Sequence, residues 1–164
     1  MNPDDVKSAL EDFASVNTDL NVTSIEVEVL PAPHEPGGLP TGKQAVYCFA
    51  VPARWLKIGV AGPKSNARYR SQHYKAGRSM SSLAWSILQH PELLATVLGP
   101  EARRSVASID WETVPDWIKA HTTRTNILLD GGVPRRTVRD LESYLHHRLR
   151  PLFEGRVTGG TGAE

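Results

Sequence analysis

Cysteine is almost missing from this chain: Cys48 is the only one in 164 residues. A lone thiol closes no internal disulfide and builds no cysteine-based zinc cage, so the expected compartment is a reducing cytoplasm. No apolar run approaches the roughly 18 residues that a membrane-spanning helix needs. Residues Met1 to Leu10 carry two aspartates and no apolar stretch, so no signal peptide is expected. The glycine-lysine loop of nucleotide hydrolases, the dinucleotide-binding glycine pattern, the paired histidines of zinc proteases and the serine elbow of esterases are all lacking. What remains is ordinary for a soluble globular chain, with 40% hydrophobic and 23% charged residues. The length suits one domain with a short extension.

A second absence is local. Residues 36–91 contain no Asp or Glu, yet they hold Lys43, Arg54, Lys57, Lys64, Arg68, Arg70, Lys75 and Arg78. Residues 1–35 carry eight acids against Lys7 alone. Asymmetry of this kind points to a polyanionic partner for the basic part. The plainer alternative is that the acidic head neutralises the basic middle within the folded monomer.

Periodicity places the elements. Val6, Leu10, Phe13 and Ala14 fall at helical spacing after a capping Asp4, and Val22 to Leu30 alternates as a strand with one buried face. Residues 31–40 hold four prolines and two glycines, which marks a linker. Ala45 to Val51 and Trp55 to Val60 form a hairpin. A helix is expected from Asn66 to about Lys75, another after Ser81 or Ser82, and helical pattern again over 92–98 and 114–120. Arg124 to Leu129 reads as a returning strand. Pro134 opens a last helix over 135–149, which Pro151 stops. Trp85, Trp111 and Trp117 are expected in the core in preference to the alternative, base-stacking platforms. The order is α+β, divided as a 1–35 acidic helix-strand extension, a 36–156 main domain and a 157–164 flexible tail.

Four segments of the main domain resemble a known family. Ala45-Val46-Tyr47 and Lys57-Ile58-Gly59 sit on paired strands, nine residues apart. Asn66 to Tyr74 (NARYRSQHY) follows on a helix. Asp140-Leu141-Glu142-Ser143-Tyr144-Leu145, closed by Pro151 to Gly155, lies on the last one. In order and spacing these are similar to the GIY-YIG nucleases, over residues 44–156, and the KIG wording resembles a branch of small bacterial members. The resemblance implies a small central antiparallel sheet of about three strands flanked by helices. It implies a metal-dependent endonuclease acting on DNA, with RNA as the alternative. It also implies Mg²⁺ or Mn²⁺ as cofactor, and leaves a homodimer as one route to cutting both strands.

The resemblance also assigns roles. Tyr47 positions or deprotonates the attacking water, and neighbouring cations are expected to lower its pKa. Lys57, where the family pattern has tyrosine, partners Tyr47 or holds the phosphate as a point charge. Arg68 clamps phosphate oxygens, with Arg70 as the fallback, because a guanidinium binds them in a bidentate fork. His73 donates to phosphate or acts in acid–base transfer. Glu142 is the metal ligand: Val138, Leu141, Leu145 and Leu149 make the buried stripe of the last helix, and Glu142 sits at its edge. Its plainer alternative is a pair with His146 or Arg139 on the same helix. Lys64, Arg70, Lys75 and Arg78 are expected to meet nucleic acid. The asparagine that usually supports such a site is not evident after Glu142; Glu154 stands there, and Asn126 is a candidate substitute. A fold retained for nucleic-acid binding without catalysis is the rival reading.

Overall fold

Strand β2 (Lys43–Val51) and strand β3 (Arg54–Ala61) form the expected hairpin. Every second side chain of β2 faces one way, and both faces are buried, so helices must cover the sheet on each side. The computed structural model describes residues 2–77 and 80–153. Strand β4 (Thr123–Asp130) pairs antiparallel with β2, and strand β1 (Glu26–Leu30) pairs antiparallel with β4. The sheet order is β1-β4-β2-β3, four strands in all. The expectation of about three is corrected by β1, which joins the sheet as its edge. Alternation marks a strand in a sequence but does not say which strand it pairs with.

On one face lie helix α1 (Pro3–Val16) and the last helix, α7 (Arg135–Leu149). They cover Val46, Cys48, Ile58, Ile127 and Leu129 with Val6, Leu10, Val138, Leu141 and Leu145. The two helices also meet each other, with Phe13 against Tyr144 at 5.4 Å between ring centroids. Asn2 caps α1, not Asp4: its side chain accepts from the Asp4 N–H, and Asp5 reaches back to the Asn2 N–H.

The other face is covered by short helices: α2 (Asn66–Arg70), α3 (Ser82–Gln89), α4 (Pro91–Thr96), α5 (Pro100–Val106) and α6 (Val114–His121). The helix expected over 66–75 breaks after Arg70 and resumes as a 3₁₀ turn over Gln72–Tyr74. Ser81 caps α3 by accepting from the Ala84 N–H at 3.2 Å. At the far end, Arg150 takes a left-handed conformation and ends α7. Leu152 and Phe153 then return, donating to the carbonyls of Trp55 and Leu56. Leu56 is the extra residue of a β-bulge, since Phe49 opposes Lys57 and Ala50 opposes Trp55. Among the described residues no helix is long and apolar enough to cross a membrane. Glu154, Gly155 and the tail at 157–164 lie outside the described residues.

Residues 1–35 thus supply an edge strand and half of one helical layer. A chain starting at residue 36 would bare the edge of β4 and the apolar face of α7. Such a truncation is expected to lose its cooperative thermal transition and near-ultraviolet circular dichroism. A sharp transition within a few degrees of the full chain would show the segment to be dispensable.

Candidate functional site

Strand register fixes the centre of the site. Tyr47 opposes Gly59 on one side and Asn126 on the other, and Asn126 opposes Glu28. The row Glu28–Asn126–Tyr47–Gly59 therefore crosses all four strands. The next row on the same face is Leu30–Arg124–Phe49–Lys57, which puts Lys57 diagonally beside Tyr47.

Gly59 is a glycine for a steric reason. A Cβ there would come within 2.6 Å of the Tyr47 hydroxyl oxygen, so the tyrosine ring lies directly over the glycine backbone. The Tyr47 hydroxyl finds no hydrogen-bond partner among the described residues. It borders an open cleft of about 1170 Å³. A core tyrosine would ordinarily bond a backbone group.

The cleft gathers residues from separate elements. Tyr47 and Lys57 come from β2 and β3, Arg68 from α2, His73 from the turn after it, and Arg139, Glu142 and His146 from α7. All five side chains assigned to catalysis from the sequence line this one space. Of the two candidate arginines, Arg68 lines it and Arg70 does not. Lys64, Arg70 and Lys75 are exposed outside the lining, and Arg78 is outside the described residues.

Glu142 is half-buried and is the one carboxylate among the described lining residues. It makes no ion pair or hydrogen bond with His146, Arg139 or any other described residue. Described His, Cys, Asp and Glu side chains do not gather in threes to hold a metal by themselves. One carboxylate fits a cation that keeps several waters and leans on substrate phosphate, as Mg²⁺ does; a four-ligand zinc cage needs more.

Burial sets the protonation states. The Tyr47 phenol is pushed up to about 12. Desolvation outweighs the pull of the Arg68 and Arg124 guanidinium groups, and Glu142 adds to the rise. The expected lowering by neighbouring cations is thereby reversed, because those cations act on a ring that is only 5% exposed. Lys57 is 6% exposed, and burial lowers its pKa while Glu142 pulls it back up. A buried lysine that titrates low is nearer to a neutral amine than a surface one.

His73 is buried. It is 2% exposed, with its ring 4.9 Å from the rings of both Tyr47 and Phe49. Neither ring nitrogen has a hydrogen-bond partner among the described residues. Burial, then the charges of Arg124, Lys57 and Arg68, lower its pKa to about 3. At neutral pH it is an uncharged ring wedged beside Tyr47, without a proton to give as an imidazolium.

Arg124 carries no role in the sequence reading beyond opening a strand. It is fully buried beneath the site. Its Nε donates to Asn126 Oδ1 at 2.8 Å, and one terminal nitrogen donates to the Tyr69 carbonyl at 2.8 Å and the Tyr74 hydroxyl at 3.3 Å. Its guanidinium also lies 4.4 Å from the Tyr69 ring centroid and 5.5 Å from those of Tyr47 and Phe49. Asn126 therefore supports the site through Arg124 and does not itself line the cleft.

The core placement preferred for Trp85 from the sequence is corrected. Trp85 is 55% exposed and lines the cleft, and Trp111 is 54% exposed elsewhere; neither is in the core. Trp117 is buried as expected, with its indole N–H donating to Ser105. Compared with family models, curated proteins and solved structures, the chain matches none.

The His73 shift has a sign that can be checked. Between its ordinary 6.5 and about 3 the unfolded chain binds a proton that the folded chain refuses. Stability is therefore lost as pH falls through that window, by about 1.4 kcal/mol per unit from this group. His73→Phe keeps a ring against Tyr47. In urea titrations it is expected to lose about 2 kcal/mol less than wild type on going from pH 6.5 to 5. Equal losses would place the proton uptake elsewhere.

Proposed function

We propose that this protein is a metal-dependent endonuclease of the GIY-YIG type, hydrolysing DNA phosphodiester bonds in this cleft. The observation that carries the reading is the convergence of Tyr47, Lys57, Arg68 and Glu142. They come from two strands and two helices, with no ion pair among described residues using up Arg68 or Glu142. Three cationic side chains (Lys57, Arg68 and Arg139) border the space with a single carboxylate, which suits a phosphate backbone.

Glu142 would hold Mg²⁺ or Mn²⁺, which when bound supplies Lewis-acid charge to the phosphoryl group and the leaving oxygen. Arg68 is exposed and free to close a two-pronged grip on non-bridging oxygens. Tyr47 keeps its proton at neutral pH, so its hydroxyl orients the attacking water by hydrogen bonding. Lys57, diagonal to it on the sheet, is placed to act as a point charge on the phosphate or, in its amine form, to take the water's proton. His73 and Gly59 hold the Tyr47 ring from its edge and from below.

The rival reading is a module that binds nucleic acid without cutting it. The attraction between Lys57 and Glu142 favours it, because an ammonium beside the carboxylate competes with a metal for that charge.

A supercoiled-plasmid nicking assay with Mg²⁺ or Mn²⁺ tests the proposal. Wild type is expected to nick, and Glu142→Gln to lose activity. Arg68→Ala is expected to fall about 10²–10³-fold, the scale for removing one group that stabilises transition-state charge. Arg70→Ala should remain close to wild type. Lys57→Arg separates base from point charge, since arginine keeps its proton: loss of nicking supports the base, retention the charge. Salt-sensitive binding with no nicking by wild type would establish the rival.

A further inference from the structure

Helix α3 has two faces. Leu83, Ala84 and Ile87 are buried against the sheet. Ser82, Trp85, Ser86 and Gln89 recur at three- and four-residue steps on the other side and line the cleft. A tryptophan is costly to leave in water, yet Trp85 is more than half exposed at the centre of that polar face. No ring and no hydrogen-bond partner among the described residues covers it. Leu93, 42% exposed, extends the apolar surface on α4. The cleft lining thus holds two unlike sets of groups: the cationic Lys57, Arg68 and Arg139, and an indole flanked on α3 by short hydroxyl and amide groups.

We infer that Trp85 is a stacking platform for an unpaired nucleobase, so that the cleft takes nucleic acid whose bases are locally unstacked, in preference to a continuous duplex. The inference rests on the nuclease reading of the same cleft and narrows its substrate class. The charge argues for the occupant: phosphates at the cationic groups bring the bases of the same strand within reach of an aromatic face. In a continuous duplex those faces are covered by their neighbours. An unpaired nucleotide offers a free face, and every base has one, so stacking on an indole selects for exposure and not for sequence. Ser82, Ser86 and Gln89 can meet base edges without specifying one base.

The test uses two fluorescein-labelled DNA hairpins whose strands are joined by a polyethylene glycol linker in place of a nucleotide loop, one fully paired and one with three unpaired nucleotides in its stem. Anisotropy titrations are run in EDTA to prevent cutting. Wild type is expected to bind the interrupted hairpin roughly tenfold more tightly, the scale of one base stacked on an aromatic side chain. Trp85→Ala should abolish that preference, weakening the interrupted hairpin roughly tenfold more than the paired one, whereas Trp85→Phe should keep most of it. Arg68→Ala should weaken both hairpins alike. An unchanged thermal midpoint is expected for both Trp85 variants, because the side chain is exposed. Equal wild-type affinity for the two hairpins, or a preference surviving in Trp85→Ala, would overturn the stacking role while leaving the nuclease reading intact. Absence of salt-sensitive binding to either hairpin would remove both.

Discussion

The site depends on a buried positive charge. Arg124 sits under the sheet face that carries Tyr47, with no carboxylate touching it. A guanidinium taken out of water is costly unless its donors and its charge are met. The answer is spread over several groups. Three aromatic rings lie near the guanidinium, the Tyr69 carbonyl takes one donor, and Asn126 takes another. Asn126 in turn donates to Glu28 at 2.8 Å, so the nearest compensating carboxylate acts through a relay. Each partner is pinned by serving Arg124. Tyr69 is the pivotal one, because its backbone ties α2, and hence Arg68, to the centre of the sheet. The arginine proposed to grip phosphate is thus positioned by a second arginine that does not line the cleft.

Glu28 belongs to β1, on the segment that sequence composition sets apart as an extension. Its place beside Asn126 gives that segment a part in the electrostatics of the site. On the same row, Tyr47 trades hydrogen-bonding partners for position. The glycine below it lets the ring lie flat on the backbone, and the neutral His73 ring closes its edge. The resulting burial raises the phenol pKa despite two nearby arginines. In this site desolvation outweighs attraction by the guanidinium groups. That ordering keeps the Tyr47 proton in place at neutral pH, which fits the orienting role proposed for it.

Much of this was legible in the sequence for reasons that can be named. Period two marked the hairpin, and period 3.6 marked α7 with Glu142 at the edge of its apolar stripe. Four short segments at fixed spacing then singled out Tyr47, Lys57, Arg68, His73 and Glu142, which do share one cleft. The failures have causes too. Trp85 sits one residue from Ala84 and two from Leu83 and Ile87, and an apolar count assigns all four inward. The helix has room for only three on its buried face, and small Ala84 takes the place that size alone would give tryptophan. Arg124 reads as the start of a strand because a sequence does not reveal that a charge will be shared among three aromatic rings from two other segments. His73 is expected to act on phosphate or in proton transfer, and the sequence does not show that its neighbours in space are the Tyr47 and Phe49 rings.

The opposed charges of the head and the middle can now be weighed. If residues 1–35 neutralised the basic stretch, ion pairs would join the two. Among the described residues none does: Asp12 pairs with Arg148, Asp4 with Lys7, and Lys43 with Asp130. Glu28 instead faces the Asn126 amide and the Tyr69 hydroxyl. Lys64, Arg68, Arg70 and Lys75 are left exposed without carboxylate partners among the described residues, on the segment that carries one wall of the cleft. Exposed charges of one sign raise the local potential and draw in an anion of opposite sign. The missing acids of residues 36–91 thus have a physical consequence. Nothing in that stretch competes with a polyanion for its bases, and the single carboxylate among the described residues of the cleft lining, Glu142, is delivered from the last helix.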